Sequence, residues 1–178
     1  MNVGLISARF AKALYDFSVS AGEDEMVHEE LIMVHKQLNE VPVLGETLLS
    51  PIVSAEDKIR LMIAATGRIP TASLTRFFRL LIAHRREELL PSICESYMRL
   101  FDKEKGILKV RLITAVPLEE TKKDKIVSQL ETSTHKKVEL SMLVQPDIIG
   151  GFVLMTDEKR LDASVRTSLK NIRRQMTI

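Results

Sequence analysis

At Gly106 the apolar rhythm of the chain changes, and that change limits the folds open to it. Upstream, apolar side chains recur every three or four residues, the spacing that gathers them on one side of a helix. Downstream, Leu108, Val110 and Leu112 alternate with Lys109 and Arg111, as happens when one face of a strand is buried. Helices first and a strand-helix mixture second predict an α+β fold in two parts. The first is a six-helix bundle over residues 1–105. The second is a small α/β domain over residues 106–178, with a mixed or antiparallel sheet. A chain of 178 residues with 45% apolar side chains can supply cores for both.

The expected first helix carries Ile6, Phe10, Ala13, Leu14 and Phe17, and Ala8, Ala11 and Tyr15 widen this stripe beyond one buried face. Val27, Leu31, Val34 and Leu38 mark the second helix. Pro42 ends that pattern ahead of a short segment with Leu44, Leu48 and Leu49, which Pro51 closes. Ser54 reads as an N-cap, because its oxygen can accept a free backbone N–H while Glu56 and Asp57 face the positive end of the helix dipole. Ile59, Met62 and Ile63 follow, and Gly67 stops that helix. Leu74, Phe77, Phe78, Leu81 and Ile82 form the fifth stripe; Leu89, Leu90, Ile93, Tyr97, Leu100 and Phe101 form the sixth.

Beyond Gly106 the expected order is strand, helix, strand, strand, helix. Pro117 opens the helix bearing Ile126, Val127 and Leu130. Val138, Leu140, Met142 and Val144 alternate as a second strand, and Gly150 to Met155 reads as a third. Asp157 and Glu158 turn the chain back, Asp162 or Ser164 caps the last helix, and Val165, Leu169, Ile172 and Met176 share one side of it.

Charge and composition exclude more than they suggest. Net charge is +2, no tryptophan is present, and aromatic residues make up 4%, so neither a polyanion partner nor a base-stacking platform is announced. Cys94 is the single cysteine, which rules out an internal disulfide. Met1 to Phe10 lacks the basic flank and apolar core of a secretory signal, and no apolar run reaches the roughly 18 residues of a membrane span. The adjacent Gly150 and Gly151 run into Phe152 and Val153, so they make neither a Walker loop nor a dinucleotide fingerprint nor a nucleophile elbow. A bend or a close backbone approach is the reading that remains.

No set of nucleophile, base and orienting group emerges. His28 and His35 lie seven residues apart, too far along a helix to share a metal, and read as solvated surface groups. His84 sits at a charged helix end, and Cys94 on an apolar helix side where a buried, inert thiol is expected. Arg166, Lys170, Arg173 and Arg174, with Lys136 and Lys137, could form a phosphate-binding face. The alternative function is therefore a small nucleic-acid-binding protein using its basic terminal helix. More telling is apolar surface without a core to enter. Leu80 points away from the stripe of its own helix, and Phe10 and Ala13 lie on the far flank of theirs. Such surplus suggests a groove for an amphipathic partner helix.

Three stretches carry a family likeness. Ala8-Arg9-Phe10-Ala11-Lys12-Ala13-Leu14, Leu49-Ser50-Pro51, and Ile149-Gly150-Gly151-Phe152-Val153-Leu154 continuing to Leu161-Asp162-Ala163-Ser164-Val165, with Thr114-Ala115 and Pro117-Leu118 upstream, resemble the delta subunit of F-type ATP synthases, called oligomycin-sensitivity-conferring protein in mitochondria. The family's Gly-Asp pair at the hairpin tip is Asp157-Glu158 here. The resemblance implies a non-catalytic peripheral-stalk subunit that needs no cofactor, binds no nucleic acid and joins the catalytic head to the stalk against rotor torque. It implies that the bundle grips the N-terminal helix of an alpha subunit between its first and fifth helices. By similarity that contact falls on Phe10, Ala13, Phe17, Leu80 and His84. The smaller domain would meet the C-terminal ends of b-type stalk subunits. Membrane association would be indirect, and the absence of a transit peptide resembles the bacterial form, held on the cytoplasmic face of the membrane.

Overall fold

The computed structural model describes residues 3–156 and 159–176. The chain divides into two compact units, Met1–Phe101 and Asp102–Ile178. The first is helical. It contains α1 (Val3–Ala21), α2 (Asp24–Glu40), α3 (Pro42–Leu49), α4 (Ala55–Ala65), α5 (Ala72–Ala83), a 3-10 turn at Glu87–Leu89, and all but the last turn of α6 (Leu90–Glu104). Its core is built from Leu14, Val27, Leu31, Met62, Leu74, Phe78 and Ile93, all essentially inaccessible to solvent. Cys94 is buried among them, as its helix side foretold.

The helix boundaries follow local chemistry. Ser54 accepts the Asp57 N–H at 3.1 Å and so opens α4, as expected from sequence. Thr71 does the same for α5, accepting the Leu74 N–H at 3.3 Å. Pro42 stands at the start of α3, where its missing N–H costs nothing. The broad stripe of α1 resolves into two. Its core face is Ser7, Ala11, Leu14 and Ser18, three of them small enough to let neighbouring helices come close, while Ile6, Phe10 and Phe17 lie to one side. Ser18 is a buried polar group with a partner, since its hydroxyl meets the Tyr97 hydroxyl at 3.0 Å.

The second unit holds β1 (Ile107–Thr114), α7 (Glu120–Thr134), β2 (Lys137–Val144), a 3-10 turn at Pro146–Ile148, β3 (Phe152–Met155), β4 (Arg160–Asp162) and α8 (Val165–Met176). The strands form one mixed sheet in the order β2-β1-β3-β4. β1 and β2 are parallel, in register from Ile107 opposite Lys137 to Thr114 opposite Val144, with α7 as the crossover. β3 runs antiparallel to both β1 and β4. Thus the sheet is mixed, and it has one strand more than the period analysis counted. β4 is only three residues long, too short to show alternation.

Two expectations need correction here. α7 begins at Glu120, so Pro117 lies in the preceding loop instead of the first turn. The side of α8 that Val165, Leu169 and Ile172 share is open, these residues being 40%, 53% and 52% exposed. His28 is no solvated surface group, for its ring stacks on Phe101 with centroids 3.9 Å apart. The expected turn at Asp157 and Glu158 and the side chain of Met176 lie outside the described residues; Lys159 donates its N–H to the Thr156 hydroxyl at 3.0 Å.

The glycine pair has the architectural role expected of it. Gly151 has φ +73°, and a Cβ there would stand 2.2 Å from the Ala163 carbonyl oxygen. Only glycine allows β3 to start this close to the segment leading into α8. Asp162 and Ser164 then cap that helix jointly: Thr167 donates its N–H to the Ser164 hydroxyl at 3.2 Å, and Ser164 donates its own N–H to Asp162 at 3.1 Å.

Candidate docking groove

Two carboxylates of the α2 region fix the start of α5. Glu30, buried on α2, accepts both the N–H and the hydroxyl of Thr71 at 2.9 Å, and the Arg68 guanidinium approaches it at 3.5 Å. Glu23, just before α2, accepts the Ser73 N–H at 3.0 Å. Bonds from Ser73 hold Glu23 below the usual carboxylate range, with Arg76 a lesser influence. At the other end of α5, Lys58 of α4 meets Glu87 at 2.5 Å in a largely buried pair. Burial pushes the Glu87 carboxyl up, but the hydrogen bond and charge of Lys58 outweigh it and leave the group below its ordinary value.

Held in this way, α5 lies alongside α1. The Phe10 and Phe77 rings meet edge to face with centroids 6.3 Å apart, and the Arg76 guanidinium lies 5.9 Å above the Phe17 ring. Glu23, just past the end of α1, bonds Ser73 at the start of α5 while Phe10 meets Phe77 further along, so the two helices run antiparallel. Between them is a groove of about 730 Å³ whose lining includes Phe10, Ala13, Phe17, Leu80 and His84. The five residues singled out from sequence therefore share one concavity. Its floor is closed, since Leu14 is 2% and Phe77 7% exposed, whereas Phe17 and Leu80 on its walls are 41% and 43% exposed. His84 is the C-cap of α5. Sequence reasoning missed Ile6, Arg9, Arg76 and Arg86, which also line the groove. Helical spacing could have found three of them, because Ile6 precedes Phe10, Arg9 precedes Ala13 and Arg76 precedes Leu80 by one turn.

Two further concavities are smaller. One of about 550 Å³ lies on the sheet among Lys109, Arg111, Glu139, Ser141, Met155 and Thr156. Another of about 240 Å³ includes Ile148, Arg160, Asp162 and Lys170. In the first the Ser141 and Thr156 hydroxyls donate to the backbone carbonyls of Val110 and Lys159, and in the second the Ser164 hydroxyl donates to Asp162 within the α8 cap. Burial pushes the Cys94 thiol up to about 12, far from an activated thiolate. Among the described residues no group of histidine, cysteine and carboxylate side chains could hold a metal ion, and no helix is long and apolar enough to cross a membrane.

A helical unit with an open, largely apolar groove, joined to a small mixed-sheet unit, has the build of a docking subunit. The comparisons name the family. A model of the ATP synthase delta (OSCP) subunit family matches residues 6–176. ATP synthase subunit delta of Parabacteroides distasonis is 38% identical over 173 residues, covering 97% of this chain and 96% of the relative. That of Bacteroides fragilis is 36% identical over 177 residues, covering 98% and 95%. A chain in the cryo-EM structure of the Toxoplasma gondii mitochondrial ATP synthase hexamer superposes with a TM-score of 0.69 over 97% of both chains, at 20% identity, a likeness of fold. The chain belongs to the ATP synthase delta (OSCP) subunit family, whose members are structural subunits and not catalysts.

Proposed function

We propose that the α1–α5 groove receives the N-terminal helix of an alpha subunit of the catalytic head, and that the second unit meets the C-terminal ends of b-type stalk subunits. In this reading the six helices of residues 1–105 act as one bundle on the head, and residues 106–178 act as the stalk-side domain. The assembly sits at the cytoplasmic face of the bacterial membrane, held there by its partners. A static link between head and stalk lets rotor torque drive nucleotide synthesis instead of turning the head. Such a link depends on slow dissociation, which packed apolar contacts provide better than rim charges.

The observation that carries this reading is the groove itself: half-exposed Phe17 and Leu80 face each other's helices over a closed apolar floor. Leaving such side chains wet forgoes on the order of 1 kcal/mol each, which a docked helix would recover. In the second unit, the exposed side of α8 and the half-exposed Met142, Val144 and Phe152 offer the stalk-side surface. The nucleic-acid alternative is not favoured, because the basic residues of α8 share that helix with this exposed apolar side.

The test is a calorimetric titration of the full chain with a peptide of about 20 residues from the N-terminus of the alpha subunit of its own complex. Saturable binding is expected, weakened at least about tenfold by Leu80→Asp, because a carboxylate would be buried against the docked helix. The unfolding temperature should hardly move, since Leu80 is no core residue. Unchanged affinity in a folded Leu80→Asp chain would remove the groove from the interface.

A further inference from the structure

The groove is not electrically neutral. Arg9, Arg76 and Arg86 are among its lining residues, and no carboxylate is. These cations stand at both ends. Arg76 lies over Phe17, and the antiparallel course of the two helices carries Arg9 and Arg86 toward the end formed by Ile6 and His84. Nearby carboxylates neutralise them only in part, Glu23 acting on Arg76 as a lesser partner. Glu23 is engaged by Ser73, Asp16 is paired with Lys12 at 3.2 Å, and Glu88 approaches Arg86 only at 3.8 Å on the surface.

An occupant that fits this trough must bring an apolar stripe and also answer the charge beside it. A neutral or basic helix would cover guanidinium groups without pairing them, which costs desolvation and adds repulsion. Arginine suits the opposite case, because its stem lies on the aromatic wall while its planar head pairs with a carboxylate through two N–H donors. We propose that the groove selects a partner helix whose apolar stripe is flanked by glutamate or aspartate near each end, and rejects basic amphipathic helices of equal hydrophobicity. The inference rests on the docking reading above and adds the charge of the partner. The lining from Ile6 to Phe17 extends about 16 Å at the helical rise, so the two acidic positions of the partner lie about three turns apart.

The experiment uses the full chain and two synthetic 20-residue amphipathic peptides (about 30 Å each as helices) with one shared leucine-isoleucine stripe. One carries glutamate at the flanking positions, the other lysine. By calorimetry at low salt the glutamate peptide should bind about tenfold more tightly, and the gap should narrow as added salt shortens the Debye length. The triple variant Arg9→Glu, Arg76→Glu, Arg86→Glu should reverse the preference, an outcome that misfolding cannot produce because a misfolded chain would lose both peptides. Equal affinities, or no reversal, overturn the charge proposal and leave the docking reading standing. Failure of both peptides also overturns it, and the alpha-helix titration then decides separately whether the docking reading falls as well.

Discussion

A Cβ on Gly151 would collide with the Ala163 carbonyl oxygen at 2.2 Å, and the residue's φ of +73° is one that side chains resist. Gly151→Ala is therefore expected to destabilise the second unit by about 2 to 4 kcal/mol. At Gly150 a Cβ would meet only the Val165 methyl at 3.1 Å, with no positive φ, so Gly150→Ala should cost less than about 1 kcal/mol. Urea denaturation of the two variants compares them directly, and equal losses would refute the close-approach explanation. Asp162 belongs to the same junction. Hydrogen bonds from the Ser164 hydroxyl and N–H, helped by Thr167 and Arg160, hold its carboxyl at about 2, below the ordinary 3.8. A carboxyl whose folded pKa is depressed stabilises the fold above its unfolded value and loses that contribution as pH falls toward the folded one. Denaturation midpoints should thus decline between about pH 4 and pH 2 in the parent chain, and less steeply in Asp162→Asn. The glycine pair and this cap were legible in the sequence because both are local. The stacking of His28 on Phe101 was not, since nothing in the sequence near His28 names a partner so distant along the chain.

Helix α5 illustrates the same limit one level up. Its stripe, and the outward direction of Leu80, follow from 100° per residue and were readable at once. What fixes its first turn was not. Glu30 looks like any exposed acid on α2, yet it is buried and bonded to Thr71, 41 positions away. Glu30→Ala would strand the Thr71 N–H and hydroxyl, and is expected to cost about 1 to 3 kcal/mol. Because Thr71 also caps α5, faster amide exchange should appear first at Leu74 and then along the groove wall. Protection at Leu74 equal to that of the parent chain would show that Glu30 does not position the helix. The buried Lys58–Glu87 pair, 29 residues apart, was hidden for the same reason. In α8 the amphipathic pattern was plain, but periodicity reports only that a face is apolar, never whether the chain itself or another molecule covers it.

At the scale of the whole molecule, the change of period at Gly106 separated helical from mixed structure because helix and strand repeats cannot coexist in one segment. The groove was half legible: the surplus apolar residues pointed to it, while its arginines read as ordinary solvated charges. Two compact units with separate exposed apolar surfaces imply that their contacts can be broken separately. Leu169 is 53% exposed on α8, so Leu169→Asp should fold normally and keep its affinity for the alpha-subunit peptide within about twofold. It should instead fail to retain b-type stalk subunits in a pull-down with the full chain as bait. Leu80→Asp should do the opposite, retaining the stalk subunits while losing the peptide. If Leu169→Asp weakens the peptide as much as it weakens the stalk, the two surfaces do not serve two partners, and the division of labour between the units must be abandoned.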